Sequence, residues 1–445
     1  MKFSVLEEII QSIKNVRIAI VGDFCLDAYW FINESKSEIS VETGLPTRPV
    51  EKQAYSPGGA GNVANNLAAM EVKEILSFGV VGTDPFGFEL KRILDEKGIN
   101  TQNIIAQEKN WATHVYIKPH IEDKEQNRID FGNFNRLSPK TADRLIENLI
   151  KSMDNIDLII LNQQVYSGIN TEYFREKLTE VIKKFPEKIF IADSRQYSDS
   201  YHGAYRKMND VEALRLCGYK KGTDEPVSVS EVKNAAKILY GKYGKPVFIT
   251  CGSKGSVVID EKGIYEIPGL LILSKIDPVG AGDSYLAGVA SALAARYPVN
   301  IAAELGNYVA GVTIQKLFQT GTASPEEILN IAKDPDFIYN PDLAENIRMA
   351  KYYQESEIEI INPLPKNNKI KYAIFDNDGT ISTLREGWEL IMAPMMEKAI
   401  LGDKYFSADE SLYNKVKKRV REFIDQTTGI QTLAQMKLLL SIIRE

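Results

Sequence analysis

Residues 276–285 read Ile-Asp-Pro-Val-Gly-Ala-Gly-Asp-Ser-Tyr, and the small and apolar residues that follow predict a helix that begins at the glycines. A helix start presents unpaired backbone N–H groups and the positive end of the helix dipole, and glycine lets an anion approach closely. The N–H groups of Gly280, Ala281 and Gly282 are therefore candidate anion ligands, and the Asp283 carboxylate beside them is a candidate base. This combination suits phosphoryl transfer to a hydroxyl. Taken alone, the stretch fits an ordinary glycine-rich turn with an acidic helix start equally well.

Size, charge and cysteine content limit the classes of protein to which the chain can belong. A chain of 445 residues exceeds one ordinary core, so we expect two domains. Its 54 basic and 60 acidic residues give a net charge of −6, which argues against a nucleic-acid partner and against a basic membrane-binding surface. Cys25, Cys217 and Cys251 lie far apart in the sequence and form neither a metal motif nor a disulfide framework. With no signal peptide and no apolar run of about 18 residues, a cytoplasmic protein is expected.

Short apolar runs that end in glycine or a polar residue predict the strands of a parallel α/β sheet. One run covers residues 17–22, and similar runs include 158–161 and 247–250. Ligands of such sheets bind beyond the carboxyl ends of the strands, and Asp23 and Asp27 follow the first run. Carboxylates accept hydrogen bonds from sugar hydroxyls, although these residues alone fit a turn aspartate and a solvated aspartate better.

Three further patterns have both a structural and a functional interpretation. Residues 56–68 predict a glycine-rich turn before a helix of small residues, which can bind a phosphate or let helix and sheet pack closely. Residues 247–255 predict a strand that leads into a second glycine-rich turn, whose backbone donors suit a triphosphate. Asn209 and Glu212 have the spacing of a helix-capping pair, a pattern that often occurs by chance.

In this order, the patterns resemble those of the ribokinase-like (PfkB) carbohydrate kinases over about residues 15–330. The resemblance implies a doubly wound α/β domain with a small β lid, formed in part by residues 31–56. It implies that ATP phosphorylates a hydroxyl of a small-molecule sugar or sugar phosphate in the presence of Mg²⁺. Lid strands of this family often pair between subunits, so a homodimer is one expected assembly.

The same resemblance implies a role for each residue of the patterns. Asp283 would accept the hydroxyl proton, while the N–H groups of Gly280, Ala281 and Gly282 hold the transferred phosphoryl group. The remaining positions form three sets: for the sugar, Asp23, Asp27, Gly58, Gly59 and Asn62; for the nucleotide, Thr250, Gly252, Ser253, Gly255 and Asn307; and for Mg²⁺, held through water, Asn209 and Glu212.

A narrower resemblance bears on the identity of the sugar. The run Gly-Asp-x-x-x-Asp-x-Tyr-Trp at 22–30 is closer to the bacterial heptose-7-phosphate kinases than to ribokinases at large, and the segment 126–131 is similar to a heptose kinase segment with Arg-x-Asp. The resemblance implies that Arg128 binds a phosphate group already present on the sugar, because a guanidinium group binds phosphate bidentately. The residues alone favour a surface arginine on an edge strand. Residues 162–168 lack the aspartate and lysine that heptose kinases usually carry after this strand, which leaves the sugar open.

The character of the chain changes after about residue 335. Residues 336–370 contain two Asn-Pro pairs and a polar run, and they predict a connector. This divides the chain into a kinase-like domain of residues 1–335 and a second domain of residues 371–445.

The second domain opens on a predicted strand, residues 372–381, that reads Tyr-Ala-Ile-Phe-Asp-Asn-Asp-Gly-Thr-Ile. It resembles the first motif of the haloacid dehalogenase-like phosphatases, in which Asp376 would be the nucleophile, Asp378 the general acid/base, and both would bind Mg²⁺. Predicted helices at 386–401 and 411–424 suit a helical cap. The later motifs of these phosphatases do not follow, so we expect a partial domain and a truncated piece of a kinase–phosphatase fusion.

Three alternatives to a heptose kinase stay open. The chain could be a PfkB-type kinase of another sugar or a nucleoside. It could be a sugar-phosphate phosphatase whose kinase-like half binds the substrate, although the later phosphatase motifs are missing. It could also be a sugar-binding regulator without catalysis, against which the intact Gly-Ala-Gly-Asp and Asn-x-x-Glu patterns argue.

Overall fold

A computed structural model of the chain describes residues 1–122, 124–221, 227–272, 275–316, 321–333, 335–338, 353–354, 360, 370–375, 388–427 and 432–444. These residues belong to two compact units. One is built from residues within 1–272 and 276–361, and the other from residues within 273–275 and 362–445.

The first unit contains strands and helices in alternation, as the sequence predicts. The strands are β1 (Arg17–Gly22), β2 (Phe24–Ile32), β3 (Val50–Gly59), β4 (Glu74–Val81), β5 (Ile104–Ala106), β6 (His114–Ile121), β7 (Lys124–Glu125), β8 (Ile129–Phe131), β9 (Leu158–Gln163), β10 (Ile189–Ser194), β11 (Tyr205–Asn209), β12 (Val247–Thr250), β13 (Gly255–Asp260) and β14 (Gly263–Pro268). Among the described residues, the helices of this unit are α1 (Phe3–Ile13), α2 (Ala60–Ala69), α3 (Pro85–Glu96), α4 (Pro139–Ser152), α5 (Glu172–Lys184), α6 (Asp210–Leu216), α7 (Val229–Tyr243), α8 (Ala281–Ala294), α9 (Val299–Thr313) and α10 (Pro325–Ile331).

The main sheet has the strand order β14-β13-β12-β11-β10-β9-β1-β4-β5. Strands β12 to β5 of this order pair in parallel, and β13 and β14 add an antiparallel hairpin at one edge. The central strands are continuous runs of buried residues, as a parallel sheet that is covered on both faces requires. The predicted α/β sheet is therefore confirmed. Its register aligns Gly22, Asn162 and Asp193 at the carboxyl edge of three neighbouring strands.

Helices cover both faces of this sheet. Ile18 and Ile20 of β1 belong to a core shared with α1, α2, α8 and α9, whereas Ala19 and Val21, which point to the other face, pack with α4 and α5. Helix α8 consists mostly of small residues, which lets it lie close to α9. The two backbones approach so closely that a Cβ on Gly288 would come within 2.8 Å of the Cα of Gly306. Close packing of these two helices holds the start of α8 at the carboxyl edge of the sheet.

A second, five-stranded sheet forms the predicted lid, with the order β3-β2-β6-β7 and with β8 paired to β6. The sequence predicts a turn at 56–59, whereas β3 continues as a strand through Gly59. The pairing of Asp27 with Ser56 and of Cys25 with Gly58 explains the difference, because β2 supplies a partner for these backbone groups. Asp27 accordingly lies within a lid strand, not in a loop after β1.

The described part of the second unit has three helices: α11 (Trp388–Leu401), α12 (Glu410–Thr427) and α13 (Thr432–Arg444). The first two confirm the helices predicted at 386–401 and 411–424. Apolar side chains of all three form a small core that includes Met396, Phe423 and Leu439.

The strand predicted at 372–381 is absent from its described part. Residues 370–375 have no strand pairing, and Ile374 is fully exposed. A buried partner strand is what an apolar run needs to become a β-strand, and the described residues of this unit supply only helices. Asp376 and Asp378 lie outside the described residues. In the described part of the chain, no helix has the length and apolar composition to cross a membrane.

Candidate active site

The glycine-rich stretch opens helix α8, as the sequence predicts. Gly280 is the N-cap and has a φ of 81°, a left-handed conformation that favours glycine. The Ala281 N–H donates to the Pro278 carbonyl over 3.1 Å, so this predicted anion donor is already bonded within the turn. Asp283 lies in the first turn of the helix.

Asp283 meets Asn62, a predicted sugar ligand, at the start of α2. The Asn62 amide donates to Asp283 Oδ2 over 2.7 Å. Burial raises the pKa of Asp283 to about 6, while the Asn62 hydrogen bond opposes that rise. A carboxylate with a pKa near neutrality is a stronger base than an exposed one and is still ionised at physiological pH.

A second asparagine holds Asn62 in place. The Asn66 side-chain amide donates to the Asn62 carbonyl over 3.0 Å and lies 3.3 Å from Asn62 Oδ1. Both asparagines are buried on α2. With its Oδ1 held by Asn66, Asn62 presents its Nδ2 group to Asp283.

A buried ion pair that was not predicted from the sequence lies beside the helix start. Lys207 donates to Asp193 Oδ2 over 2.9 Å, and each side chain is only 8% exposed. A Cβ placed on Gly282 would lie 2.9 Å from Lys207 Nζ, so the ammonium group borders the predicted anion site. Burial disfavours the charged lysine, yet the Asp193 carboxylate holds the pKa of Lys207 above its usual value. No local pattern indicated this pair, because Lys207 lies in the mostly polar strand Tyr-Arg-Lys-Met-Asn, where an exposed lysine is the usual expectation.

Asp23, another predicted sugar ligand, is buried and holds a loop. Its carboxylate accepts the backbone N–H groups of Gln164 (2.9 Å), Val165 (3.2 Å) and Ile169 (2.9 Å). Burial raises its pKa to about 6 against the effect of these bonds. The loop that follows β9 is therefore organised around Asp23, and a sugar contact by Asp23 remains a prediction.

The other predicted sugar ligands lie on or beside the lid. Asp27 forms an ion pair with Lys118 over 3.2 Å, and a Cβ on Gly58 would come within 3.2 Å of the Asp27 carboxylate. Gly59 caps α2 with a φ of 54°. Arg128 binds the Asp130 carboxylate through two bonds of 2.6 and 2.8 Å, and its side chain is 49% exposed.

The predicted magnesium residues form the helix-capping pair that their spacing indicates. The Asn209 side chain accepts from the Glu212 N–H over 2.8 Å, and Glu212 Oε2 accepts from the Asn209 N–H over 2.9 Å. Burial raises the pKa of Glu212. The described residues contain no cluster of three or more potential metal ligands. One carboxylate and one amide suit Mg²⁺ bound through water, which needs few protein ligands.

The predicted nucleotide residues surround the turn after β12. Gly252 and Gly255 have φ values of 58° and 93°, and between them Ser253 lies in a single 3₁₀ turn. The Thr250 hydroxyl lies 3.4 Å from the Met208 carbonyl. The turn reverses the chain after β12, so that β13 pairs antiparallel with β12.

Asn307, the last predicted nucleotide residue, joins α9 to β14. Its amide donates to the Pro268 carbonyl over 3.1 Å. It also borders a cavity of about 320 Å³ whose apolar lining includes Leu270, Tyr308 and Phe337. An apolar cavity of this size suits a flat heterocycle.

Comparison with known proteins identifies the family. Residues 17–327 match the model of the pfkB family carbohydrate kinases. The chain belongs to this family. It is therefore a carbohydrate kinase, a phosphotransferase with an alcohol group as acceptor, which confirms the predicted enzyme class.

Three known proteins show distant similarity to this pfkB kinase. The bifunctional protein HldE of Sulfurimonas denitrificans is 25% identical over 354 residues, which cover 78% of this chain and 71% of that protein. Ribokinase of Arabidopsis thaliana, solved with ribose and ATP, has a TM-score of 0.55 and 17% identity over 72% of this chain and 99% of its own. Phosphofructokinase-2 of Escherichia coli, solved with fructose-6-phosphate, has a TM-score of 0.54 and 18% identity over 71% of this chain and 97% of its own. The structural similarities show the ribokinase-like fold.

Proposed function

We propose that the chain transfers the γ-phosphate of ATP to a hydroxyl of a phosphorylated sugar of the heptose 7-phosphate type. The observation that carries the proposal is the contact between Asn62 and Asp283 at the start of α8, with the Lys207 ammonium group beside it. This arrangement combines a base, a group that orients the base, and a positive charge for the transferred phosphoryl group. Similarity to HldE and the pattern at 22–30 support the sugar.

In this mechanism Asp283 accepts the proton of the attacking hydroxyl. Asn62 donates to Asp283 Oδ2, which leaves Oδ1 for that proton. A positioned general base of this kind contributes roughly 10²–10⁴-fold in rate. The N–H groups of Gly280 and Gly282, the helix dipole and Lys207 stabilise the negative charge on the phosphoryl oxygens. The Ala281 N–H group also stabilises this charge if its hydrogen bond to the Pro278 carbonyl opens.

ATP and Mg²⁺ fit the residues that surround this centre. Thr250, Gly252, Ser253 and Gly255 would hold the phosphates of ATP, and the apolar cavity beside Asn307 would receive adenine. Asn209 and Glu212 would hold Mg²⁺ through water, since Glu212 is half-buried and has a second carboxylate oxygen beyond the one bonded to Asn209. When bound, the ion neutralises phosphate charge.

For the C-terminal region, we propose a partial haloacid dehalogenase-like domain. The support is the motif from Phe375 to Thr380, with Asp376 and Asp378 as its carboxylates, together with the helices that follow.

For the kinase unit, we propose a homodimer formed through the lid. Its support is the exposed apolar side chains of the lid, such as Ile39, Val41 and Leu45.

A substrate panel tests the proposed reaction. The chain is assayed for ATP-dependent phosphorylation of heptose 7-phosphate, fructose 6-phosphate, ribose and adenosine. We expect turnover on heptose 7-phosphate above the others. Faster turnover on another member contradicts the proposed sugar and keeps the enzyme class, and it directs attention to the loop at 162–168.

A further inference from the structure

One face of the lid sheet carries two neighbouring rows of side chains with opposite charge. Asp27 is paired with Tyr116, and Tyr116 with Asp130, so these three side chains lie in one row across three strands. Tyr29 is paired with Lys118 in the next row. Arg128 precedes β8 and completes this second row, because the antiparallel pairing of Ile117 with Ile129 places it opposite Lys118. Its guanidinium group stacks on the Tyr116 ring of the first row, 4.4 Å from the ring centre.

This charged face is directed away from the hydrophobic core and towards the predicted sugar ligands. The residues that alternate with the charged ones, Leu26 and Ala28, are buried in the core. Cys25, which precedes Asp27 on the charged face, lies 3.6 Å through its Sγ from the Asp23 carbonyl. Burial raises the pKa of the Cys25 thiol, and the carboxylates of Asp23, Asp27 and Asp283 raise it further. The acidic row is therefore the nearer of the two to the catalytic carboxylate.

Both cations of the second row are held by carboxylates of the first row. Lys118 is 16% exposed, lies 3.2 Å from Asp27 Oδ1 and donates to the Tyr29 hydroxyl over 3.4 Å. Arg128 is held by Asp130 in the same way. Although burial opposes its charge, Asp27 keeps the pKa of Lys118 above the usual value, so the lysine is a cation at neutral pH. A buried cation on a lid carries a desolvation cost that a bound anion would offset.

The spacing of the rows matches a molecule that carries hydroxyls at one end and a phosphate at the other. Two residues along a strand span about 6.6 Å. Hydroxyls that donate to the acidic row would then lie near Asp283, and a phosphate on the same molecule would reach Lys118 and Arg128. An ammonium and a guanidinium group together match the two negative charges of a phosphate monoester.

We propose that Lys118 and Arg128 form a phosphate-binding row on the lid, through which this kinase selects phosphorylated sugars over free sugars. The inference rests on the proposed function, since the ligand is the substrate of the same site. Its new element is Lys118 and the two-row arrangement. When the sugar phosphate binds, its phosphate forms ion pairs with Lys118 and Arg128, and the carboxylates of Asp27 and Asp130 accept hydrogen bonds from the sugar hydroxyls instead.

Binding measurements on Lys118→Met test the proposal without requiring turnover. Thermal unfolding of the full chain is followed in the presence of fructose 6-phosphate or of fructose, and apparent Kd values are derived for each. The matched control is Lys124→Met. Lys124 is an exposed lid lysine paired with Ile121, in a row of the opposite face. Unfolding without ligand shows whether each variant is folded.

We expect the wild type to bind fructose 6-phosphate more tightly than fructose. Lys118→Met should weaken sugar phosphate binding by roughly 10- to 100-fold, the effect of one lost charge-assisted hydrogen bond, and leave fructose binding within about twofold. Lys118→Arg should recover most of the loss, and Lys124→Met should match the wild type.

Three results would overturn the proposal. Equal weakening of both ligands by Lys118→Met assigns Lys118 to the positioning of Asp27 alone. If Lys118→Met leaves the Kd for fructose 6-phosphate unchanged, Lys118 does not bind the phosphate. If the wild type does not bind fructose 6-phosphate more tightly than fructose, the lid has no phosphate-binding row. Failure of the proposed function is distinguishable: phosphate binding that depends on Lys118, without phosphorylation of any sugar, supports the row and contradicts the kinase reaction.

Discussion

Asn62 and Asp283 lie 221 positions apart in the chain and are joined by a 2.7 Å hydrogen bond from the amide to the carboxylate. The bond links the first turns of α2 and α8, which pack on the same face of the sheet. It opposes the rise in the pKa of Asp283 that burial causes. The contact therefore sets both the orientation and the proton affinity of the proposed base.

Removal of the Asn62 amide should shift the pH dependence of the reaction. In the wild type, activity should fall as the pH decreases through about 6, because Asp283 becomes protonated. Asn62→Ala removes a bond that lowers this pKa, so the acid limb of kcat should move to higher pH. A pH–rate profile measures the shift, with Asn65→Ala on the same helix as control. If the acid limb of the variant lies at the same pH as that of the wild type, protonation of Asp283 is not the cause of the limb.

Replacement of Asp283 should stabilise the protein above pH 6. The folded-state pKa of about 6 lies above the ordinary value of 3.8, so the native state binds this proton more tightly than the unfolded state. The wild type consequently loses stability from this group as the pH rises from about 4 to 6, and Asp283→Asn does not. We expect the variant to gain at most ~3 kcal/mol at pH 8 and little at pH 4. Urea unfolding at the two pH values measures the difference, and a gain that is larger at pH 4 contradicts the account.

The buried pair of Lys207 and Asp193 allows stability and catalysis to be separated. Lys207→Met leaves the Asp193 carboxylate buried and unpaired, so the free energy of unfolding should fall by about 3–5 kcal/mol. The double variant Lys207→Met/Asp193→Leu should regain most of that stability, because both charges are gone. Its kcat should stay low, since the ammonium group beside Gly282 is missing. Full recovery of kcat in the folded double variant would limit Lys207 to a structural role.

Asp23 should control the loop at 164–169. Asp23→Ala leaves the N–H groups of Gln164, Val165 and Ile169 without their acceptor, so their hydrogen exchange should accelerate and the KM for the sugar should rise. Gly168→Ala should have a similar effect, because a Cβ there would meet Asp23 Oδ1 at 2.1 Å. Unchanged exchange together with a raised KM would instead indicate direct contact between Asp23 and the sugar.

Features that depend on local pattern were predictable from the sequence. The start of α8 follows from the glycines at 280 and 282, and the buried strands follow from their uninterrupted apolar runs. The helices α11 and α12 follow from helical sequences of sufficient length. Such elements depend on neighbouring residues, and the sequence displays those neighbours directly.

Features that depend on which strands meet were not predictable. The pair of Lys207 and Asp193 exists because β10 and β11 are adjacent and in register, which no local pattern indicates. Likewise, the ion pair of Asp27 with Lys118 depends on the pairing of β2 with β6, which lie far apart in the sequence. The predicted strand at 372–381 shows the converse, since an apolar run without a partner strand stays unpaired in its described part.

The turnover number of Asp283→Asn tests the central claim most directly. It is measured with ATP and whichever sugar the wild type phosphorylates, alongside the Kd of ATP for each protein. We predict that kcat falls by roughly 10²–10⁴-fold while the Kd of ATP stays within a few-fold, because the substitution removes the base and keeps the shape of the side chain. A kcat close to that of the wild type would contradict the assignment of Asp283 as the base.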